Sequence, residues 1–206
     1  MPLNEFQDRL CAENRTNFSD LKAVAFNCSL KRRAEDSHTR LLLSVAEEIM
    51  RRAGASVDHV HLADHQVAYG VYPDMTEHGW ERDDWPQLWK RVKVADILLI
   101  GTPIWLGEES SLCRILIERL YGMSGELNGK GQSLFYGKTG GAVITGNEDG
   151  VKHCAMTILY ALQHLGCTIP PQADCGWIGE AGPGPSYGDK PEKDGGTPAG
   201  FDNDFT

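Results

Sequence analysis

No apolar run in the chain approaches the ~20 residues that a membrane-spanning helix requires, and the first 20 residues are polar and mixed in charge, with no secretory core. A cytoplasmic protein is the expectation. Cations are also scarce: 20 Lys and Arg stand against 29 Asp and Glu, a formal net charge of −9. Neutralising a phosphate backbone takes a basic face, so a nucleic-acid scaffold is excluded and the expected partner is a small molecule or another protein. The six cysteines, Cys11, Cys28, Cys113, Cys154, Cys167 and Cys175, include no Cys-x-x-Cys pair. Neither a zinc site nor an iron–sulfur ligand set follows, and reduced thiols are expected. His59 and His61 share one strand face near His65, yet no acid or thiol completes a ligand set. They read as solvated strand-end histidines, and no metal is expected. The sequons at Asn14, Asn17 and Asn27 have no export signal to give them meaning.

Nucleotide fingerprints are missing too. No Gly-x-Gly-x-x-Gly joins a strand to a helix, and Gly137-Lys-Thr139 has Gln132 where a phosphate-binding loop needs its first glycine, besides preceding a strand. No Ser, His and Asp set or nucleophile elbow is visible.

What is present is a hydrophobic content of 41% in 206 residues, enough for one domain with a substantial core. The chain divides into an N-terminal arm (1–20, one short helix), a domain (21–178) and an irregular Gly- and Pro-rich tail (179–206). Asp202-Asn-Asp-Phe-Thr206 resembles the capping start of a helix that is never delivered, and a truncated or partly disordered native C-terminus is the expectation.

Within the domain, strands alternate with helices. Leu21–Asn27 reads as a first strand, Ser37–Ala53 as a helix closed by Gly54, and Val57–Leu62 as a half-polar strand near an edge. Residues 63–84 form a long excursion of the kind that is usually functional. Asp83 or Asp84 then caps a helix with Pro86 in its first turn. Ile97–Ile100, apolar without alternation, is a strand buried on both faces, stopped by Gly101, Pro103 and Gly107 and followed by a loop, not a hairpin. A helix over 110–121, a partial strand at 133–136, a strand at 140–145, a helix from Val151 to Leu165 and a short strand at 167–170 complete the pattern. Such alternation predicts an α/β fold, a doubly wound parallel sheet with right-handed crossovers.

Three of the loops leaving carboxyl strand ends carry chemistry, and ligands of open parallel sheets sit beyond those ends. The first, Asn27 to Thr39, gathers the hydroxyls of Ser29, Ser37 and Thr39, the cations Lys31, Arg32 and Arg33, and a helix start, a set suited to a dianionic phosphate. An ordinary capped helix with a solvated basic loop explains these residues equally well. The second loop is Thr102-Pro103-Ile104-Trp105-Leu106-Gly107, and the third is Thr145-Gly146-Asn147-Glu148-Asp149-Gly150.

Together these loops resemble the NAD(P)H-dependent FMN reductases of the flavodoxin-like superfamily. Ser29-x-Lys31 with Ser37-His38-Thr39 resembles that family's phosphate loop, Gly101 to Gly107 its ring loop, and Thr145 to Gly150 its third flavin contact. The likeness covers roughly Leu21 to Trp177. It departs at Asn27-Cys28, where the family commonly places a glycine before its serine, and in the lengthening Lys-Arg-Arg-Ala-Glu-Asp; the iron–sulfur branch lacks its cysteine cluster here. The resemblance implies five parallel strands in the order 2-1-3-4-5 with helices on both faces. It implies FMN as cofactor, NADPH or NADH as co-substrate, hydride transfer to a small acceptor such as a flavin or quinone, and a homodimer or higher homo-oligomer. The implied cofactor contacts are Ser29, Lys31, Ser37, His38, Thr39, Pro103, Ile104, Trp105, Leu106, Gly107, Thr145, Gly146, Asn147, Asp149 and Gly150. A flavodoxin-type electron carrier shares fold and cofactor and is the alternative; a flavin-free binding domain is a second. His153, Trp177, the 63–85 excursion and the Gly- and Pro-rich tail are further candidates for the ring's surroundings, and Arg32 and Arg33 for a 2′-phosphate.

Overall fold

Successive residues of a strand point to opposite faces of its sheet, and here both faces are apolar. In the computed structural model, which describes residues 3–147, 149–179, 185–189 and 201–202, the elements run α1 (Glu5–Glu13), β1 (Lys22–Asn27), α2 (His38–Arg52), β2 (Ser56–His61), α3 (Trp85–Val94), β3 (Ile97–Trp105), β4 (Glu108–Glu109), α4 (Ser111–Tyr121), β5 (Thr139–Gly146), α5 (Val151–Leu165), β6 (Asp174–Ile178) and β7 (Phe201–Asp202). The sheet order is β2-β1-β3-β5-β6-β7. β2 through β6 pair in parallel, and β7 closes the edge antiparallel to β6. The five long parallel strands thus follow the doubly wound order 2-1-3-4-5, with β2 at the expected edge.

Val24, Phe26, Leu98, Ile100, Ala142 and Ile144 face one layer, made by Trp85, Leu88, Leu116, Leu120, Ile158 and Leu162 of α3, α4 and α5. Ala25, Leu99 and Val143, one residue out of phase, pack on Leu43 of α2. Burying each such side chain stabilises by about 1.5–3 kcal/mol. α1, capped by Asn4 and Gln7, is tied to α2 by the Asp8–Arg52 ion pair at 3.1 Å.

The structure corrects several expectations. β3 does not stop at Ile100 but continues through Pro103 to Trp105. β1 ends opposite Gly101, so beyond that point β3 has a parallel partner only in β5, and proline's missing N–H is tolerated on the vacant side. A hairpin then follows where a loop was expected. Ile104 and Trp105 pair antiparallel with Glu109 and Glu108 across Leu106 and Gly107, both at positive φ (54° and 80°), the backbone of a tight two-residue hairpin. The short strand expected at 167–170 shrinks to one bridge, Thr139 to Thr168, because Pro170 and Pro171 cannot extend a ladder; the fifth parallel strand is β6. At 133–136 only the bridge Leu127–Ser133 forms. Phe201–Asp202 is a strand, not a helix start, and residues 203–206 lie outside the described residues.

The histidines expected to be solvated are not. His59 Nδ1 lies 2.7 Å from Glu47 Oε1, and His61 is buried against Asn27. Lys138 of the Gly-Lys-Thr sequence spends its ammonium on the carbonyls of Lys93 (3.1 Å) and Ala95 at the end of α3, at the amino edge of the sheet. Among the described residues no helix is long and apolar enough to cross a membrane, and no group of three or more His, Cys, Asp or Glu is placed to hold a metal.

Candidate functional site

The loops leaving β1, β3 and β5 meet at the carboxyl edge. The first is built around buried polar groups. Cys28 N–H donates to Gly101 O (2.8 Å), Ser29 N–H to Asn27 Oδ1 (3.2 Å) and Lys31 N–H to Ser29 Oγ (3.3 Å). The extra residues coil into a 3-10 turn, Ala34–Asp36, in which Arg33 is held by Glu35 (3.1 Å) and Asp36 (3.2 Å). Ser37 caps α2, its hydroxyl accepting from Arg40 N–H (3.0 Å). Thr39, one residue into the helix, meets Thr145 at the end of β5, hydroxyl to hydroxyl, at 2.7 Å. Both are buried.

The β3–β4 hairpin is braced from behind. Ser110 donates to Cys28 O (2.6 Å) while capping α4 through Cys113 N–H (3.2 Å), and Arg114 pairs with the buried Glu109. The third turn approaches so closely that a Cβ on Gly150 would stand 2.6 Å from Gly107 O. Only glycine, here at φ 134°, fits there.

Between the loops lies a cavity of about 540 Å³, within the range of small-molecule sites. Of the residues implied by the resemblance, Ser29, Lys31, His38, Thr39, Pro103, Ile104, Trp105, Thr145, Gly146 and Asn147 line it. The other five stand behind or beside it. Ser37 is buried as the helix cap; Leu106, 90% exposed, is the hairpin tip. Gly107 and Gly150 are the close contact already described. Asp149 accepts from Gly150 N–H (2.8 Å).

Leu30, Trp177, Ser186 and Tyr187 also line the cavity. Trp177 sits opposite Thr145 in the β5–β6 register, so the misplaced fifth strand hid its position. Ser186 and Tyr187 come from the tail. Asn147 Nδ2 donates to Pro185 O (2.7 Å), Ser186 Oγ to Asn147 Oδ1 (3.3 Å) and His38 Nδ1 to Tyr187 O (2.8 Å); the Trp177 and Tyr187 rings lie 5.8 Å apart, edge to face. The sequence offered the tail as a candidate neighbour of the ring without singling out these residues. His153 is drawn aside to Glu108 (2.9 Å). The excursion runs along α4, where Asp83 holds Arg119 at 2.6 Å.

Among the described residues the lining is electrostatically one-sided: it contains Lys31 and His38 and no carboxylate, in a chain of net charge −9. Hydroxyls, a cation, a histidine and the start of a 15-residue helix make a donor set for a phosphoryl dianion. Pro103, Ile104, Trp105, Trp177 and Tyr187 add apolar surface wide enough for a planar ring. The residues present therefore fit a flavin phosphate.

Comparison with known proteins agrees. A family model described as NADPH-dependent FMN reductase matches residues 21–177. A divalent metal cation transporter, MntH, of Mycobacterium bovis is 56% identical over 189 residues, which cover 92% of this chain and 27% of the relative. The chain thus spans about a quarter of that relative's length. The 8-demethyl-8-aminoriboflavin-5'-phosphate synthase of Streptomyces davaonensis is 36% identical over 173 residues, 81% of this chain and 67% of the relative. The crystal structure of RosB with bound 8-demethyl-8-formylriboflavin-5'-phosphate superposes with a TM-score of 0.74 at 36% identity, covering 81% of this chain and 68% of that one.

Proposed function

We propose that this oxidoreductase, a chain that belongs to the NADPH-dependent FMN reductase family, holds FMN at the three strand ends and passes hydride from NADPH or NADH through it to a small acceptor. The observation that carries this reading is a hydroxyl-rich cavity whose described residues include Lys31 and His38 and no carboxylate, in an acidic chain. Bound FMN supplies the redox chemistry. The residues bind, orient and polarise.

Ser29, Lys31, His38 and Thr39 take the phosphate, with Ser37 holding the helix start in place. His38 donates Nδ1–H to Tyr187 O, so its Nε2 can donate to an anion only when it too carries a proton, in the imidazolium form. Pro103, Ile104 and Trp105 run beside the ring. Gly146 and Asn147 line the cavity just before α5, where main-chain N–H groups and the helix dipole favour the negative charge that reduction places on the pyrimidine side. Leu106, Gly107, Asp149 and Gly150 brace the turns. Hydride transfer needs an open ring face and no protein acid or base. The homo-oligomer expected from the resemblance stays part of the proposal; light scattering in solution tests it.

A second reading makes the flavin phosphate the substrate. It is favoured by the Streptomyces relative's name and by the flavin intermediate bound in RosB. The two separate by experiment. Protein purified yellow is mixed anaerobically with NADPH, then given free flavin, a quinone, an azo dye and a metal complex. Bleaching followed by acceptor-dependent recolouring, with the flavin mass unchanged, supports the reductase. A changed flavin mass supports the second reading, and colour that NADPH does not bleach leaves the electron carrier.

A further inference from the structure

Two residues outside the cavity lining determine how its phosphate loop is held. Asn27, the last residue of β1, and His61, the last of β2, are paired in the sheet register and both buried. Asn27 Nδ2 lies 2.9 Å from His61 Nδ1. Asn27 Oδ1 accepts the main-chain N–H of Ser29 (3.2 Å), and His61 Nε2 lies 2.9 Å from the main-chain carbonyl of Lys31. The relay therefore begins and ends on the same loop, two residues apart.

Its two ends fix its direction. A main-chain N–H can only donate and a carbonyl can only accept. So Asn27 must present Oδ1 to Ser29 and Nδ2 to His61, and His61 must carry its proton on Nε2 and accept at Nδ1. The other tautomer would set two donors against each other at Asn27 and two acceptors at Lys31. The hydroxyl of Ser37, 3.4 Å from both ends of the Asn27 amide, can serve either role and sets no direction.

We infer that His61 is a positioning residue for phosphate recognition: as the neutral Nε2–H tautomer it locks the Asn27 amide, and the locked amide holds Ser29 and Lys31 at the cavity wall. The inference rests on the proposed phosphate role of this loop.

The test compares FMN with riboflavin, which lacks the phosphate, by titration onto apoprotein. His61→Leu should weaken FMN at least tenfold while riboflavin moves less than twofold. His61→Asn, whose Oδ1 can occupy the Nδ1 position, should recover most of the loss. Independently, imidazole 15N shifts of the holoprotein should assign the His61 proton to Nε2, a measurement that does not depend on any variant folding. An unchanged FMN-to-riboflavin ratio in His61→Leu, or a proton on Nδ1, overturns the inference and leaves the site assignment standing. Wild-type apoprotein that prefers FMN no more than riboflavin overturns both.

Discussion

The contact between Thr39 and Thr145 is where the first and third loops are fastened, and it permits a quantitative test. One hydroxyl donates to the other at 2.7 Å, both side chains being buried. Thr39→Val keeps the shape and leaves the Thr145 hydroxyl unpaired, as Thr145→Val does for Thr39. Each single change should destabilise the apoprotein by about 1–3 kcal/mol, lowering Tm by roughly 2–12 °C for a chain of this size. The double variant removes both groups together, so its loss should fall short of the sum by about 0.5–3 kcal/mol, the coupling of residues in contact. FMN affinity should behave differently. Thr39 is proposed to meet the phosphate and Thr145 to hold Thr39 in place, so both singles should weaken FMN, and the double variant should recover none of it. Denaturant melts of the four apoproteins, with FMN titrations alongside, supply the cycle. Stability losses that add within ~0.3 kcal/mol would mean that the hydroxyls are not bonded and the loops are joined in some other way.

Three further outcomes are expected. Lys31 is exposed, so its attraction for a phosphate of charge near −2 works through water and is worth about 1.5–2 kcal/mol. Lys31→Met should weaken FMN roughly 10- to 30-fold at low salt and much less at high salt; a salt-independent loss would refute a charge role. Burial pushes the Cys154 thiol up to about 12 and Cys167 up to about 11, and the thiol of Cys28 with burial holds Cys113 well above the ordinary range. Alkylation of native protein at pH 7.5, read by mass spectrometry, should therefore reach Cys11 and Cys175 and spare those three. Burial pushes the Glu47 carboxyl up, but the bond and charge of His59, the charge of Arg40 and the bond from Arg51 outweigh it, so the group is held below its ordinary value. A folded-state value below the unfolded one stabilises above the unfolded value and is lost as pH falls through the folded one. Melts of wild type and Glu47→Gln between pH 7 and pH 3 should converge on the acid side; parallel curves would refute the assignment.

The fold was legible because its signals are local and redundant. The unbroken apolar Ile97–Ile100 and the 3.6-residue periodicity of α2 and α5 each named an element, and Gly166 closed α5 at the expected place. The failures occurred where tertiary context overrules a local rule. Pro103 ends most strands, but not one whose neighbour has already ended; Leu106 at positive φ gives no hint in the sequence of a two-residue turn. The site was legible where side chains reach the cavity from the strand end that bears them, as with Ser29, Thr39 and Thr145. Trp177 was named as a candidate but not placed, because its contact depends on a distant register, and Asn27 and His61 were hidden by buried polarity. A histidine in a half-polar strand gives the same pattern whether it faces water or an amide.

The excursion and the tail posed one question in the sequence, since either could have covered the flavin's open side, and the structure separates them by hydrogen bonding. Asp83 accepts from the main-chain N–H groups of Ala68 (3.2 Å), Met75 (3.0 Å) and Trp85 (3.1 Å) and from Arg119 of α4 (2.6 Å). A buried carboxylate with four donors draws the excursion onto α4, and the approach of Val71 to Gly122 carries it toward the amino edge, away from the cavity. The tail has the opposite attachment. Pro185 and Tyr187 present main-chain carbonyls to Asn147 and His38, and the Tyr187 ring meets Trp177; all three partners are cavity residues. A segment held by ligand-binding side chains is coupled to whatever those side chains bind, whereas one held by a private ion pair is not. By that reasoning, changes at Asp83 act on stability, and changes at residues 185–187 act on access to the ring.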